Sequence, residues 1–257
     1  MRKLVGALGL TAIVACSKFT TDDASAAGGA DASSDGSMSD GSLPVKDDGG
    51  GADGGADGGA DSCTSFASVP FGDGWQSTVS NGMFELTTYM ERRGLEAQVT
   101  ASGQSAVVAR PLIMPADGTF KLTIPLVVTT SPTTDVGWLV DVVSITCTSP
   151  FSKVGLALAG EALSPGRLYV VASPPVAGND PASFGPPPQT WSDLTLAVSD
   201  TTVAVTFGGQ TRTVMLDSTV PFRKARGCSL TVGAAARVMS NTPTTTVYAE
   251  RACLQHL

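Results

Sequence analysis

Apolar and polar residues alternate strictly along much of the chain after residue 62. The clearest run has apolar side chains at every second position, at Phe120, Leu122, Ile124, Leu126 and Val128. Such alternation is typical of a β-strand with one buried face. No stretch of the chain combines a sustained helical period with capping signals at both ends. The pattern therefore predicts an all-β body.

The alternating segments predict about a dozen short strands. They cover 82–90, 95–101, 105–112, 120–128, 136–147, 154–158, 167–172, 194–198, 203–207, 210–216, 229–234 and 244–251. Short strands of this number predict an antiparallel sandwich or barrel over residues 63–257. Pro125 lies inside a predicted strand, which indicates an edge or a bulge at that position.

Residues 17–62 have a different composition, dominated by Gly, Asp, Ala and Ser, with ten Asp against Lys18 and Lys46. Such a segment has too little apolar surface to offset its ordering entropy, so we expect residues 16–62 to form a disordered acidic linker. Its end repeats Gly-Gly-Ala-Asp three times over residues 50–61. This spacing lacks the oxygen ligands of an EF-hand, so calcium is only a weak expectation.

The chain begins with Arg2 and Lys3, followed by an apolar run over residues 4–15. Twelve residues are too few for a helix to span a ~30 Å hydrocarbon core, so residues 1–15 are predicted to be an export signal. The run ends in Ile13-Val14-Ala15-Cys16, which resembles the signal of bacterial lipoproteins. The resemblance implies that Cys16 is acylated and anchors the protein in a lipid bilayer. Ser17 is not the Asp that marks inner-membrane retention, so the resemblance implies the outer membrane.

The overall charge limits the partners. The chain of 257 residues has 16 Lys+Arg against 23 Asp+Glu, a net charge of −7. No basic footprint for nucleic acid is present. We expect a monomer without a resident cofactor, whose partners are the bilayer and either a glycan or an envelope protein.

Four cysteines follow Cys16, at positions 63, 147, 228 and 253. Beyond the inner membrane an even number indicates disulfides, here two. The spacing does not match a zinc site. Residues alone leave three pairings open.

The body also resembles jelly-roll sandwiches of the concanavalin-like or laminin-G-like type. The resemblance rests on Phe71-Gly72-Asp73-Gly74-Trp75, on Trp191-Ser192-Asp193-Leu194-Thr195-Leu196 with the strand after it, and on a closing strand from Tyr248 to Cys253. Because such folds bring their first and last strands together, the resemblance favours Cys63–Cys253 with Cys147–Cys228. It also implies that Trp75 and Trp191 are core residues.

Side chains with common catalytic roles are scarce in this sequence. His256 is the single histidine and lies at the terminus, so a Ser-His-Asp triad or a histidine zinc site is not expected. Jelly-roll laminarinases use Glu-x-Asp-x-x-Glu, and no Asp lies two residues after any Glu of this chain. Glu85 is predicted to face solvent. Asp141, among aliphatic neighbours, is expected at an outward strand position, with a buried carboxylate or a calcium ligand as alternatives.

Candidate ligand-binding residues are Trp138, Asn179 and Asp180. The two polar residues lie in a proline-rich segment over 173–190, and long loops on rigid sandwiches often bind ligands. The first hypothesis is a lipid-anchored, non-catalytic module that binds glycan or protein. The alternatives are a carbohydrate-active hydrolase or lyase with an atypical carboxylate pair, and a structural adhesion protein without a ligand pocket.

Overall fold

The computed structural model describes residues 62–131, 137–160, 166–174, 182–216, 222–237 and 242–257. All of them belong to the second of two compact units, Gly55–Leu257. The predicted signal, Cys16 and the acidic linker lie outside the described residues. Within these residues, no helix has the length and apolar character needed to cross a membrane.

Sixteen strands make up the described part of the body, together with a 3-10 turn at Phe222–Lys224. The strands are β1 Ser62–Ser65, β2 Gln76–Ser80, β3 Met83–Tyr89, β4 Arg92–Val99, β5 Ser105–Leu112, β6 Phe120–Thr130, β7 Trp138–Thr148, β8 Phe151–Gly160, β9 Arg167–Ser173, β10 Ser183–Gly185, β11 Ser192–Val198, β12 Thr202–Phe207, β13 Gln210–Met215, β14 Cys228–Ala236, β15 Thr245–Ala249 and β16 Arg251–His256. Three short strands, β1, β2 and β10, were not predicted. The last predicted strand, 244–251, is divided in the structure into β15 and the start of β16.

The strands form two antiparallel sheets. Sheet A has nine strands in the order β13-β12-β11-β6-β15-β4-β3, with β16 also beside β6 and β1 beside β16. Sheet B has seven strands in the order β10-β9-β8-β7-β14-β5-β2. Five of the eight neighbouring pairs in sheet A and three of the six in sheet B are not consecutive in sequence, as in a jelly roll. The predicted all-β, antiparallel jelly-roll-type sandwich is confirmed.

The core lies between the sheets, and the alternation in sequence explains which side chains enter it. Leu194, Leu196 and Val198 of β11 are buried, while the residues between them face outward. The facing sheet contributes the same pattern from β8, where Val154, Leu156 and Leu158 are each at most 1% exposed. Each sheet therefore has one apolar inner face and one outer face left for other roles.

Pro125 lies in β6, a strand in the middle of sheet A. The neighbour of β6 changes there from β15 to β16, and Glu250 is the residue between those two strands. The Glu250 backbone N–H donates to the Pro125 carbonyl over 3.2 Å. The expected irregularity at Pro125 is therefore a break in its neighbouring strand, and Pro125 is not at a sheet edge.

Two disulfides close the body, as the cysteine count predicts. Cys63 and Cys253 face each other in the β1/β16 ladder and are bonded, and Cys147 of β7 is bonded to Cys228 of β14. These are the pairs that the jelly-roll resemblance favours. The bond between β1 and β16 links residues 190 positions apart and so joins the first strand to the last.

Candidate functional site

Three aromatic side chains meet on the outer face of sheet A. Tyr89 of β3 and Tyr248 of β15 stack with ring centroids 3.9 Å apart and planes within 9°. Trp191, directly before β11, lies edge-on to Tyr89 at 6.5 Å. All three are half-buried. We call Tyr89, Trp191 and Tyr248 the aromatic platform.

Strand alternation positions the platform. Val247 and Ala249 of β15 enter the core and are fully buried, so Tyr248 between them faces outward. Val127 is opposite Tyr248 in the β15/β6 ladder and is also fully buried, although it belongs to the outer face. An apolar patch in the middle of this face is thus covered rather than left in water.

The β3–β4 hairpin fixes one end of the platform. Its two turn residues, Met90 and Glu91, both have positive φ angles, 46° and 68°, which L-residues rarely adopt. On either side of the turn, the Tyr89 carbonyl accepts a hydrogen bond from the Trp191 indole N–H at 3.1 Å, and the Arg92 guanidinium lies 5.4 Å from the Trp191 ring centroid. Strain of this kind often accompanies functional sites.

Two carboxylates adjoin the platform. Glu85 of β3 and Glu96 of β4 are direct partners in the antiparallel ladder, so both point to the outer face. Burial raises the pKa of Glu96, and the negative charge of Glu85 raises it further, whereas a hydrogen bond from Tyr248 lowers it. That bond runs from the Tyr248 hydroxyl to Glu96 Oε1 over 3.4 Å. We call Glu85 and Glu96 the acid pair.

Tyr248 connects the acid pair to the platform. Burial, followed by the charge of Glu96, raises the pKa of Tyr248 to about 12. The phenol is therefore neutral near neutral pH and donates its proton in a hydrogen bond. The site combines a carboxyl of raised pKa, a second acid and a neutral phenol beside half-buried aromatic rings.

Arginines border the opposite side of the platform. Glu250 accepts hydrogen bonds from Arg92 at 2.9 Å and from Arg251 at 3.1 Å. Both arginine side chains are about half exposed, at 46% and 50%. Exposed pairs of this kind add little stability, so their guanidinium groups are available to a ligand.

The outer face of sheet B is built differently. Asp141 of β7 points outward, as expected, and its carboxylate is only 15% exposed. Lys153 donates to it at 2.7 Å, and Arg237 donates twice, at 3.2 and 3.1 Å. The alternative of a calcium ligand gains no support, because the described residues contain no cluster of three or more metal-ligating side chains.

Asp141 also bears on the laminarinase pattern. Both ladders of β7 shift register around Val142, which brings Ser144 to the same outer face as Asp141. Read as Glu-x-Asp-x-x-Glu, this strand has Leu139 and Ser144 where the two glutamates would be. The central strand of sheet B therefore lacks that acid–base pair.

The structure contradicts two expectations about tryptophans. Trp138 is 1% exposed and is not available to a ligand, because Gly160 and Gly166 leave the space that its indole fills. Trp191 is not a core residue, since it is half-buried in the aromatic platform. Trp75 is only 4% exposed, so it is a core residue, as predicted. Asn179 and Asp180 lie outside the described residues.

Glu96 and Tyr248 were missed by sequence reasoning, and Glu85 was placed correctly toward solvent but not paired. A two-residue turn at Met90–Glu91 makes residues 85 and 96 partners, so hairpin register would have paired them. The turn was not recognised because it lacks the Asn-Gly or Asp-Gly signal of such hairpins. The pairing of Tyr89 with Tyr248 depends on the long-range β4/β15 ladder, which no local pattern reveals.

Comparisons with known proteins bear on the fold. The chain is similar to a solved structure of apo Crh5 transglycosylase, with 14% identity, coverage of 76% of this chain and 84% of that one, and a TM-score of 0.52. It is also similar to the alginate lyase from Klebsiella pneumoniae, with 11% identity, coverage of 67% and 84%, and a TM-score of 0.50. No protein-family model and no curated protein matches the sequence. The body thus shares its fold with carbohydrate-active enzymes.

Proposed function

We propose that the body is carbohydrate-active and that a glycan chain lies on the outer face of sheet A, over the aromatic platform. The observation that carries the proposal is the acid pair beside Tyr89, Trp191 and Tyr248. Aromatic rings offer flat apolar surface to the C–H faces of a sugar, while neighbouring polar groups bond its hydroxyls. The described outer face of sheet B has no comparable set.

The acid pair supports turnover, as a hydrolase or a lyase. Directly opposed strand residues have Cβ atoms about 4.5–5.5 Å apart, so both side chains can reach the same bound glycan. Glycosidases likewise use a pair of carboxyl groups on either side of the scissile bond. The raised pKa of Glu96 suits a proton donor to the leaving oxygen. Glu85 is then the nucleophile or base. In an elimination, the neutral Tyr248 phenol is a second proton donor.

Turnover is tested with the full-length protein and a panel of neutral and acidic polysaccharides. New reducing ends report hydrolysis, and the ultraviolet absorbance of an unsaturated sugar reports elimination. E96Q should lower turnover at least 100-fold while leaving binding within threefold. D193N, which removes an exposed carboxylate of β11 on the same sheet, is the matched control and should keep full activity. Equal turnover in E96Q and wild type would contradict the role of the acid pair.

A non-catalytic glycan-binding module is the second candidate, favoured by Leu139 and Ser144 at the places where the laminarinase pattern has glutamates. The same panel distinguishes the two. Binding that Y89A abolishes, with no product from any glycan, supports the module. A panel without binding or product favours the third hypothesis, a structural envelope or adhesion protein.

The proposed location is the cell envelope, with the body anchored through acylated Cys16. Cell fractionation tests this location. The support is the match of residues 13–16 to the lipoprotein signal and the acidic, Gly-rich residues that follow. Wild-type protein should enter the membrane pellet and partition into detergent, and C16S should become soluble. Retention of C16S in the pellet would contradict the anchor.

A further inference from the structure

One cation points into the sandwich instead of away from it. Ala106, Val108 and Leu112 of β5 are buried core residues at every second position, and Arg110 occupies the same face between them. Its ladder partner is Leu230 of β14, which is 1% exposed. The Arg110 side chain therefore starts from a core position, although part of it still reaches solvent.

One aromatic ring lies beside the guanidinium, and two more pack behind that ring. Arg110 Cζ lies 5.9 Å from the centroid of the Trp75 ring. Trp75 in turn packs edge-on against Phe66 at 5.1 Å, and Phe66 packs edge-on against Phe71 at 5.7 Å. Trp75 is 96% buried, since its exposure is 4%. The guanidinium of Arg110 therefore has apolar surroundings on the side of Trp75.

Two donors in this cluster have no acceptor. The Nε of Arg110 and the indole Nε1 of Trp75 are both buried, and neither has a hydrogen-bond partner in the described part of the chain. The ion pairs found among these residues do not include Arg110. An unpaired buried donor is costly. A water molecule would satisfy the donors, but only an anion would also neutralise the charge.

We propose that Arg110 and the Trp75 indole N–H form a binding site for one oxyanion, a carboxylate or a phosphate group. A planar guanidinium fits two oxygens of such a group, and the indole N–H supplies a further donor. The partial exposure of Arg110 gives the anion a route from solution. The site uses β5 and the residue before β2, in sheet B, and is independent of the glycan face of sheet A.

Thermal unfolding of the full-length protein tests the site, with phosphate or acetate exchanged for chloride at constant ionic strength. A ligand that binds only the folded state raises Tm with its concentration, by roughly 5 °C at about 100 times Kd for a body of this size. R110M should lose this rise. R167M removes an exposed arginine of β9 and should keep it. The phosphate and acetate arms show which group the site prefers.

The Trp75 indole resonance gives a second readout that does not depend on the folding of R110M. In a ¹⁵N-labelled sample, with W75F assigning the peak, phosphate or acetate should shift this N–H and leave those of Trp138 and Trp191 in place. A response to either anion that needs Arg110 supports the proposal. An unmoved Trp75 resonance, together with a Tm that is independent of both anions, would overturn the proposal. A bound water would then be the partner of the two donors.

Discussion

The carboxylates on the outer faces of the two sheets differ in their hydrogen-bond and charge partners. On sheet B, Asp141 accepts three hydrogen bonds from two cations. On sheet A, Glu96 faces another carboxylate, has one phenol hydrogen bond, and has a raised pKa. Full pairing makes an acid structural, whereas an incompletely paired carboxyl with a raised pKa is a candidate for proton transfer.

The aromatic residues differ in the same way. Sheet A has stacked, half-buried rings on its outer face, while the tryptophan of sheet B, Trp138, is turned into the core. The face with the incompletely paired carboxyl is thus also the one with aromatic rings on its outside. The following variants separate the structural face from the functional one.

The largest effect on folding is expected from D141A on sheet B. It leaves Lys153 and Arg237 without their shared partner, and loss of one member of a largely buried pair costs about 3 kcal/mol. Urea unfolding measures the loss, and turnover or glycan binding of the folded fraction should be unchanged. D193N should change the free energy of unfolding by less than about 0.5 kcal/mol. An equally small change in D141A would show that Asp141 does not support sheet B.

W191A is expected to lower stability less and binding more. The indole is half-buried, makes one hydrogen bond and holds Arg92, so its removal should cost about 1–2 kcal/mol of stability. Glycan affinity should fall about tenfold by calorimetry, because part of the platform is lost. W191F keeps a ring without the N–H and should recover most of the affinity. Unchanged affinity in W191A would place the glycan elsewhere.

E96Q should alter the pH dependence of stability. Folding raises the pKa of Glu96, so its contribution to stability is fully present below the unfolded pKa and is lost as pH rises through the folded pKa. Gln does not ionise, so E96Q should be slightly more stable than wild type at neutral pH and equal to it in acid. E91Q removes a charge from the exposed turn of the same hairpin and is the matched control. A destabilised E96Q at neutral pH would contradict the burial of this carboxyl.

The smallest effects are opposite changes in the pKa of Glu96. Y248F removes the hydrogen bond that lowers this pKa and should raise it, while E85Q removes the negative charge that raises it and should lower it. Carboxyl ¹³C shifts in an NMR titration follow both. D193N should leave the titration in place. Shifts of the same sign in Y248F and E85Q would mean that the two contacts do not act as described.

The sequence predicts the fold better than the site, for a physical reason. Local alternation locates strands such as β11 and β12, because each residue type reports its own burial. The burial of Trp138 depends instead on Gly160, its ladder partner in β8, and on Gly166, directly before β9. The acid pair depends on a turn without turn-forming residues, and Asp141 depends on two cations that lie 12 and 96 positions away. Long-range pairings of this kind have no local signal.

Hydrogen–deuterium exchange of the full-length protein, with and without the glycan that gives the strongest signal in the panel, shows which sheet the glycan covers. We expect slower exchange in β3, β4 and β15, around Tyr89, Glu96 and Tyr248, and no change in β7, β8 and β14. Protection confined to these three strands of sheet B would contradict this expectation and move the ligand to the face of Asp141.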